Sequence, residues 1–209
     1  LCCHSLPPHS DDLEGLRHLQ PAALANLAGA VPPVVLTGHE SPVWSLAVLD
    51  DGRVASGDVD GTVRVWDPTG ETPPVALRGH TGPIEALATL EDGRLASACE
   101  DGTVRLWDPS GRVWPVVLSG HFGVVKELAV LDDGRLASAS EDGTVRLWDP
   151  TGRTEPVVLS GHTHTVYALA VLGDGRLASG SWDGTVRIWD VQSAVGRPIW
   201  SPSSAAETA

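Results

Sequence analysis

Four Gly-His pairs, Gly38-His39, Gly79-His80, Gly120-His121 and Gly161-His162, stand 41 residues apart, and the Trp-Asp pairs beginning at Trp66, Trp107, Trp148 and Trp189 keep the same spacing. A fixed period of this length marks a repeat architecture in which each unit is one supersecondary element. The third copy, "VVLSGHFGVVKELAVLDDGRLASASEDGTVRLWDPTGR", consists of short β-branched runs broken by turns at Asp133-Gly134 and Asp142-Gly143. In the second copy the runs are "PVAL" at 74–77, "IEALATL" at 84–90, "RLASACE" at 94–100 and "TVRLWD" at 103–108. Asp-Gly between alternating runs is a hairpin signal, so each unit reads as a small four-stranded antiparallel sheet. A sheet apolar on both faces must stack on its neighbours, and radial repetition of that contact builds a propeller. Paired helices are excluded because Gly and Pro recur too often within each period.

Composition narrows the function classes. Of 209 residues, 42% are hydrophobic and 20% charged, a globular balance. No run approaches the roughly 18 apolar residues a bilayer span needs, and no charged-then-apolar leader opens the chain, so no membrane role is expected. Fourteen Lys+Arg stand against 27 Asp+Glu, a net charge of −13. Eight of those basic residues occupy repeat positions, Arg53, Arg94, Arg135, Arg176, Arg64, Arg105, Arg146 and Arg187, spread by symmetry rather than gathered into a patch. No nucleic-acid partner is expected from such a surface. Three cysteines form no disulfide framework, which favours a reducing, cytoplasmic setting. The chain starts at Leu1 and contains no Met, which leads to the expectation that it is part of a larger protein.

With Gly-His, an Asp-Gly turn and a strand closing on Trp-Asp at a period of 41, residues 33–190 resemble the WD-repeat β-propeller family. The resemblance implies a structural tetrad in each blade: His39, Ser56, Asp60, Trp66; His80, Ser97, Asp101, Trp107; His121, Ser138, Asp142, Trp148; and His162, Ser179, Asp183, Trp189. In such a tetrad the His ring donates to the Asp, the Ser hydroxyl bonds the His, and the Trp indole donates to the Ser, so buried polar groups satisfy one another. A hydrolytic reading of His, Ser and Asp fails because the trio occurs four times, whereas nucleophilic catalysis needs one activated site. Two strand positions compete for the serine, four and two residues before the Asp. Only the first is Ser in every copy, the second being Asp58, Cys99, Ser140 and Ser181. Loss of one member, as in His80→Ala, is expected to cost about 1–3 kcal/mol in thermal or denaturant unfolding.

If the scaffold is what repeats, a partner is read by what does not. Five residues after each histidine the copies read Trp44, Glu85, Lys126 and Tyr167, and just before each turn Asp they read Val59, Glu100, Glu141 and Trp182. The resemblance implies that both positions lie around the top-face entrance of the central channel, where aromatic anchors suit a protein or peptide partner. The alternative is that Trp44 and Tyr167 pack between blades. Phe122 and His164 on the adjoining loop are secondary candidates, while Trp114 and Trp200 are expected to cover a blade edge. Lys126 is the only lysine, and a solvated charge is its default reading.

No cofactor and no metal are expected. Cys2, Cys3, His4 and His9 lack the separation of zinc ligands, and Asp58-Val59-Asp60-Gly61 reads as a hairpin turn rather than a calcium loop. Three regions follow: 1–30, a non-repeat and partly helical segment with Pro21 opening a second helix; 33–190, the four repeats; and 191–209, an outer strand near Pro198–Trp200 and a frayed tail. The fold expected is all-β, four blades of four antiparallel strands with a short helical N-terminal segment. Rings of this family usually have about seven blades, so four make a partial or oligomer-completed propeller. Three outcomes stay open: part of a longer array, a homodimer completing a ring, or tight closure of four blades. The segment "PVVL" at 33–36 is where the family places a strand closing the last blade. The function expected is a non-enzymatic interaction scaffold. Its alternative is the sensing or regulatory C-terminal region of a larger signalling enzyme, NTPase or protease-like, with its chemistry upstream.

Overall fold

The computed structural model describes residues 32–192. The helical segment, Cys2, Cys3, His4, His9 and the strand near Trp200 fall outside the described residues. Chain packing separates Leu1–Val35 from Leu36–Ala209. Within the first unit the described residues, 32–35, are irregular, with Val34 and Val35 exposed. No strand forms at 33–36, which differs from the expectation for "PVVL". A strand needs a ladder partner, and none among the described residues pairs with this segment.

The second unit holds the blades. Blade 1 comprises β1 (Val43–Val48), β2 (Val54–Asp58), β3 (Val63–Trp66) and β4 (Val75–Leu77). Blade 2 comprises β5 (Ile84–Thr89), β6 (Leu95–Cys99), β7 (Val104–Trp107) and β8 (Val116–Leu118). Blade 3 follows with β9 (Val125–Val130), β10 (Leu136–Ser140), β11 (Val145–Trp148) and β12 (Val157–Leu159), and blade 4 with β13 (Val166–Val171), β14 (Leu177–Ser181) and β15 (Val186–Trp189). Every sheet is an antiparallel meander in chain order, and blade 4 has three strands rather than four among the described residues. No helix among the described residues is long and apolar enough to cross a membrane.

Consecutive blades meet through their first strands, β1 with β5, β5 with β9 and β9 with β13, which makes these the inner strands. Between blades 1 and 2 the core joins Leu49, Val63 and Val65 of one to Ile84, Leu95 and Trp107 of the other. The same pattern recurs between blades 2 and 3, where Val104 and Leu106 meet Val125 and Leu136, and between blades 3 and 4, where Val145 and Leu147 meet Val166 and Leu177. Each core is thus shared by two sheets, and a single blade has none of its own.

Two glycines show how tightly successive blades fit. A Cβ on Gly61, whose φ of +80° already favours glycine, would come within 2.8 Å of the Gly82 carbonyl of the next blade. One on Gly57 would lie 2.4 Å from Ile84 Cγ2. At the opposite rim an arginine following each turn reaches across to the next blade's loop carbonyl: Arg53 to Pro109 (3.2 Å), Arg94 to Pro150 (2.9 Å) and Arg135 to Val191 (2.8 Å).

Candidate functional site

In blades 2 to 4, His, Ser, Asp and Trp form one hydrogen-bonded chain. His80 Nδ1 donates to Asp101 (2.9 Å), Ser97 Oγ donates to His80 Nε2 (2.7 Å), and Trp107 Nε1 donates to Ser97 Oγ (2.8 Å). This tautomer is the one the network demands, since the carboxylate can only accept. Blades 3 and 4 repeat it with His121, Ser138, Asp142 and Trp148, and with His162, Ser179, Asp183 and Trp189. The Asp also accepts from the hydroxyl of the threonine two residues on and from a backbone N–H of the Gly-His loop, tying turn to loop. Burial opposes ionisation of Asp101, yet the bonds from Thr103 and His80 outweigh it and hold its carboxyl at about 2. For His80 burial wins, and the imidazole is held below its usual range.

Blade 1 departs from this arrangement and corrects the expectation for Asp60. The carboxylate on His39 Nδ1 is that of Asp58, at 2.6 Å, while Ser56 and Trp66 keep their roles. Asp58 stands where the other copies have Cys99, Ser140 and Ser181, whose side chains donate to a loop carbonyl at Gly82, Gly123 and His164. A carboxylate has no proton to give there. It turns instead to the donors in reach, His39 and the Thr62 N–H at 2.8 Å. Asp60, left exposed, accepts from Ser41. Asp58→Ala should therefore cost about 1–3 kcal/mol by orphaning a buried ring, and Asp60→Ala no more than about 0.5 kcal/mol, as read from denaturant midpoints. Equal losses would place both carboxylates in the network.

The eight variable positions share one piece of backbone geometry that the sequence did not display. In every blade the pairing of the first two strands shifts register at the same place, between Val43 and Ser45, between Ile84 and Ala86, opposite Ala139–Ser140, and between Val166 and Ala168. The residues bulged out are Trp44, Glu85, Lys126 and Tyr167. A bulge leaves one residue unpaired and re-aims its side chain, so the position escapes the inward and outward alternation of its strand. Opposite it, Val59, Glu100, Glu141 and Trp182 each donate a backbone N–H to the residue two before the bulge, at 2.9 to 3.1 Å. Bulge and turn thus bring both variable residues of a blade to one rim.

Side chains on this rim sort by blade. Lys126 bridges blades 2 and 3, with Nζ 3.0 Å from Glu85 and 3.3 Å from Glu141. It is not the solvated charge expected. Burial opposes its charge, but the two carboxylates prevail and raise its pKa. On blade 4, Tyr167 and Trp182 pack ring to ring at 5.8 Å, tilted by 46°. Trp44, Tyr167 and Trp182 are all exposed within the single chain. Glu100 is exposed and Val59 half-buried.

Phe122 and Trp114 are the most exposed aromatics described, at 93% and 90%. Trp114 covers no blade edge. It stands two residues before the three-residue outer strand β8 and faces solvent. Hidden from sequence reasoning was a cluster of His80, Cys99 and Asp101, whose ligand-type atoms lie within 4.8 Å of one another. Burial pushes the Cys99 thiol up to about 12, and its proton goes to the Gly82 carbonyl. His80 and Asp101 are joined to each other, so the donor set is engaged in hydrogen bonds rather than poised as ligands.

Comparison with known proteins adds three findings. The family model described as "WD domain, G-beta repeat" matches residues 31–67, 71–108, 115–149 and 153–190. Two computationally designed proteins of known crystal structure are similar: Ika4, 33% identical with a TM-score of 0.66 over 76% of this chain and 96% of that one, and Ika8, 34% identical with a TM-score of 0.64 over 74% of this chain and 47% of that one. No curated protein matches the chain.

Proposed function

The chain belongs to the WD domain, G-beta repeat family, and on that premise we propose that it is a non-enzymatic scaffold binding a protein or peptide partner on the bulged rim. Repeats of this family generally mediate protein–protein interaction and are typically non-catalytic. One contrast carries the reading. The tetrads of blades 2 to 4 are constant and their His and Ser are buried, whereas the bulge residue differs in every blade, the pre-turn residue is shared only by blades 2 and 3, and both positions stay in reach of solvent. A buried, fourfold hydrogen-bond network stabilises; an exposed, non-repeating set of side chains discriminates.

The rim offers two kinds of contact. Blades 2 and 3 present Glu85 and Glu141 around a single ammonium together with the exposed Glu100, and blades 1 and 4 present Trp44, Tyr167 and Trp182. Large rings lose few rotamers on binding and bury much area, which makes them the anchors. The combined change of Trp44→Ala and Trp182→Ala should abolish partner capture and leave the circular dichroism spectrum unchanged, because neither ring is buried in the chain. Loss of folded signal together with capture would assign these residues to the core instead.

A further inference from the structure

We propose that a second copy of this chain docks on both open ends of the four-blade array, so that two chains close one eight-bladed ring. The three interfaces inside the chain define what each end lacks. At each of them the first inner-strand residue of the later blade, Ile84, Val125 or Val166, is fully buried against the earlier blade, where Gly57, Ala98 or Ala139 faces it. The matching residue of blade 1 is Val43, which is exposed, and beside it Leu46 and Val48 are each 68% exposed. On blade 4 the matching small residue is Gly180, whose missing Cβ would meet only Ala168 at 3.7 Å. Val186 beside it is 73% exposed, while its equivalents Val63, Val104 and Val145 are fully buried. The two bare faces are the two halves of an interface that this sequence already forms three times.

Hydrogen bonding at the ends fits the same occupant. Among the described residues blade 4 stops at β15, whose outer edge has no counterpart of the strand that β4, β8 and β12 supply to the other blades. Val34-Val35-Leu36 repeats the sequence of β8 and β12 at the same period and forms no strand of its own. The β11–β12 register pairs Val145 with Leu159, Arg146 with Val158 and Leu147 with Val157. Carried to blade 4, it pairs Val186 with Leu36, Arg187 with Val35 and Ile188 with Val34 of the second copy. Arg176, which bonds Asp174 on its own turn, would then reach the Pro68 carbonyl as Arg53 reaches that of Pro109.

Rim chemistry agrees as well. Lys126 contacts the bulged residue of the preceding blade, Glu85, and the pre-turn residue of its own, Glu141. Across a junction between copies the same placement puts Trp44 of one beside Tyr167 of the other, next to Trp182. The junction between blades 2 and 3 is ionic and the two joining ends are aromatic, so each end finds a matched neighbour. Two chains related by a twofold axis use every end, which is the condition for a closed rather than an open assembly.

Light scattering on the 209-residue chain after size exclusion, with no partner present, is the test. The expected mass is twice 21.9 kDa and independent of concentration; 21.9 kDa, or a mass that climbs with concentration, overturns the closed pair. Val186→Asp with Ile188→Asp should convert the pair to monomers without loss of fold, because both side chains face solvent in the single chain. An unchanged double mass would move the contact to another surface and overturn the proposal. Val35→Cys with Arg187→Cys, in a chain whose Cys2, Cys3 and Cys99 are Ser, should give an interchain disulfide. An intrachain bond, or none, would mean that another strand completes blade 4. These readouts are independent of the binding function, which fails or stands on partner capture alone.

Discussion

Ser97→Ala is expected to destabilise the chain by about 2–4 kcal/mol, more than its one lost oxygen suggests. That oxygen accepts from Trp107 Nε1 and donates to His80 Nε2, and the serine itself is fully buried. Its removal leaves two buried polar groups without a partner, each costing about 1–3 kcal/mol. His80→Ala takes away the ring but leaves Asp101 with Thr103 and the Thr81 N–H, so its smaller expected cost of about 1–3 kcal/mol also follows from the network. Denaturant midpoints of the two variants order the effects, and a Ser97→Ala loss below that of His80→Ala would show that the serine is not the hub.

Acid should act on the same network. Because burial holds His80 below its usual pKa, the unfolded chain takes up a proton first as the pH falls through about 6.5, and stability drops. Asp101, held at about 2, adds a second loss as the pH falls from about 4 toward that value. Both signs point to greater stability at neutral pH. In His80→Ala the first of these losses should disappear from the melting temperature profile, and its persistence would assign it to another group.

Gly57→Ala should cost about 1–3 kcal/mol, since the new methyl would lie within 2.6 Å of two Ile84 carbons. The physical cause is volume matching across the blade interface. Where the later blade carries valine, at Val125 and Val166, the earlier one carries Ala98 and Ala139; where it carries Ile84, the earlier one carries Gly57. Ile84→Val alone removes a methylene at about 0.5–1.5 kcal/mol. Combined with Gly57→Ala it recreates the pair used at the other two interfaces. Valine keeps the Cβ and Cγ2 that the new methyl meets but can shift into the space Cδ1 leaves, so the double variant should lose less than the sum of the two single losses. Simple additivity of the two losses would mean that the contact does not couple them.

Much of this was written in the period. Gly-His and Trp-Asp at 41 residues, with Asp-Gly turns between short runs, specify hairpin-linked strands, because turn chemistry and period-2 alternation are local properties. The tetrads of blades 2 to 4 were legible for the same reason, each member recurring at a constant offset. Blade 1 was not. Asp58 and Asp60 are both carboxylates one residue apart from Val59, and only the tertiary distance to His39 separates a buried acceptor from an exposed one.

The rim shows the same division. That Trp44, Glu85, Lys126 and Tyr167 vary was visible in the chain, but the bulge that re-aims them was not, since a register shift belongs to the pairing of two strands rather than to either one. Nor was the bridge from Lys126 to Glu85, which joins residues a full repeat apart. By itself the sequence determined the blade, its strands, its turns and most of its internal hydrogen bonds, all set by neighbours within one 41-residue unit. Only the tertiary structure decided which carboxylate serves blade 1, where the variable side chains point and which faces stay bare. Those depend on contacts between units, and near-identical repeats carry almost no local mark of which neighbour they lack.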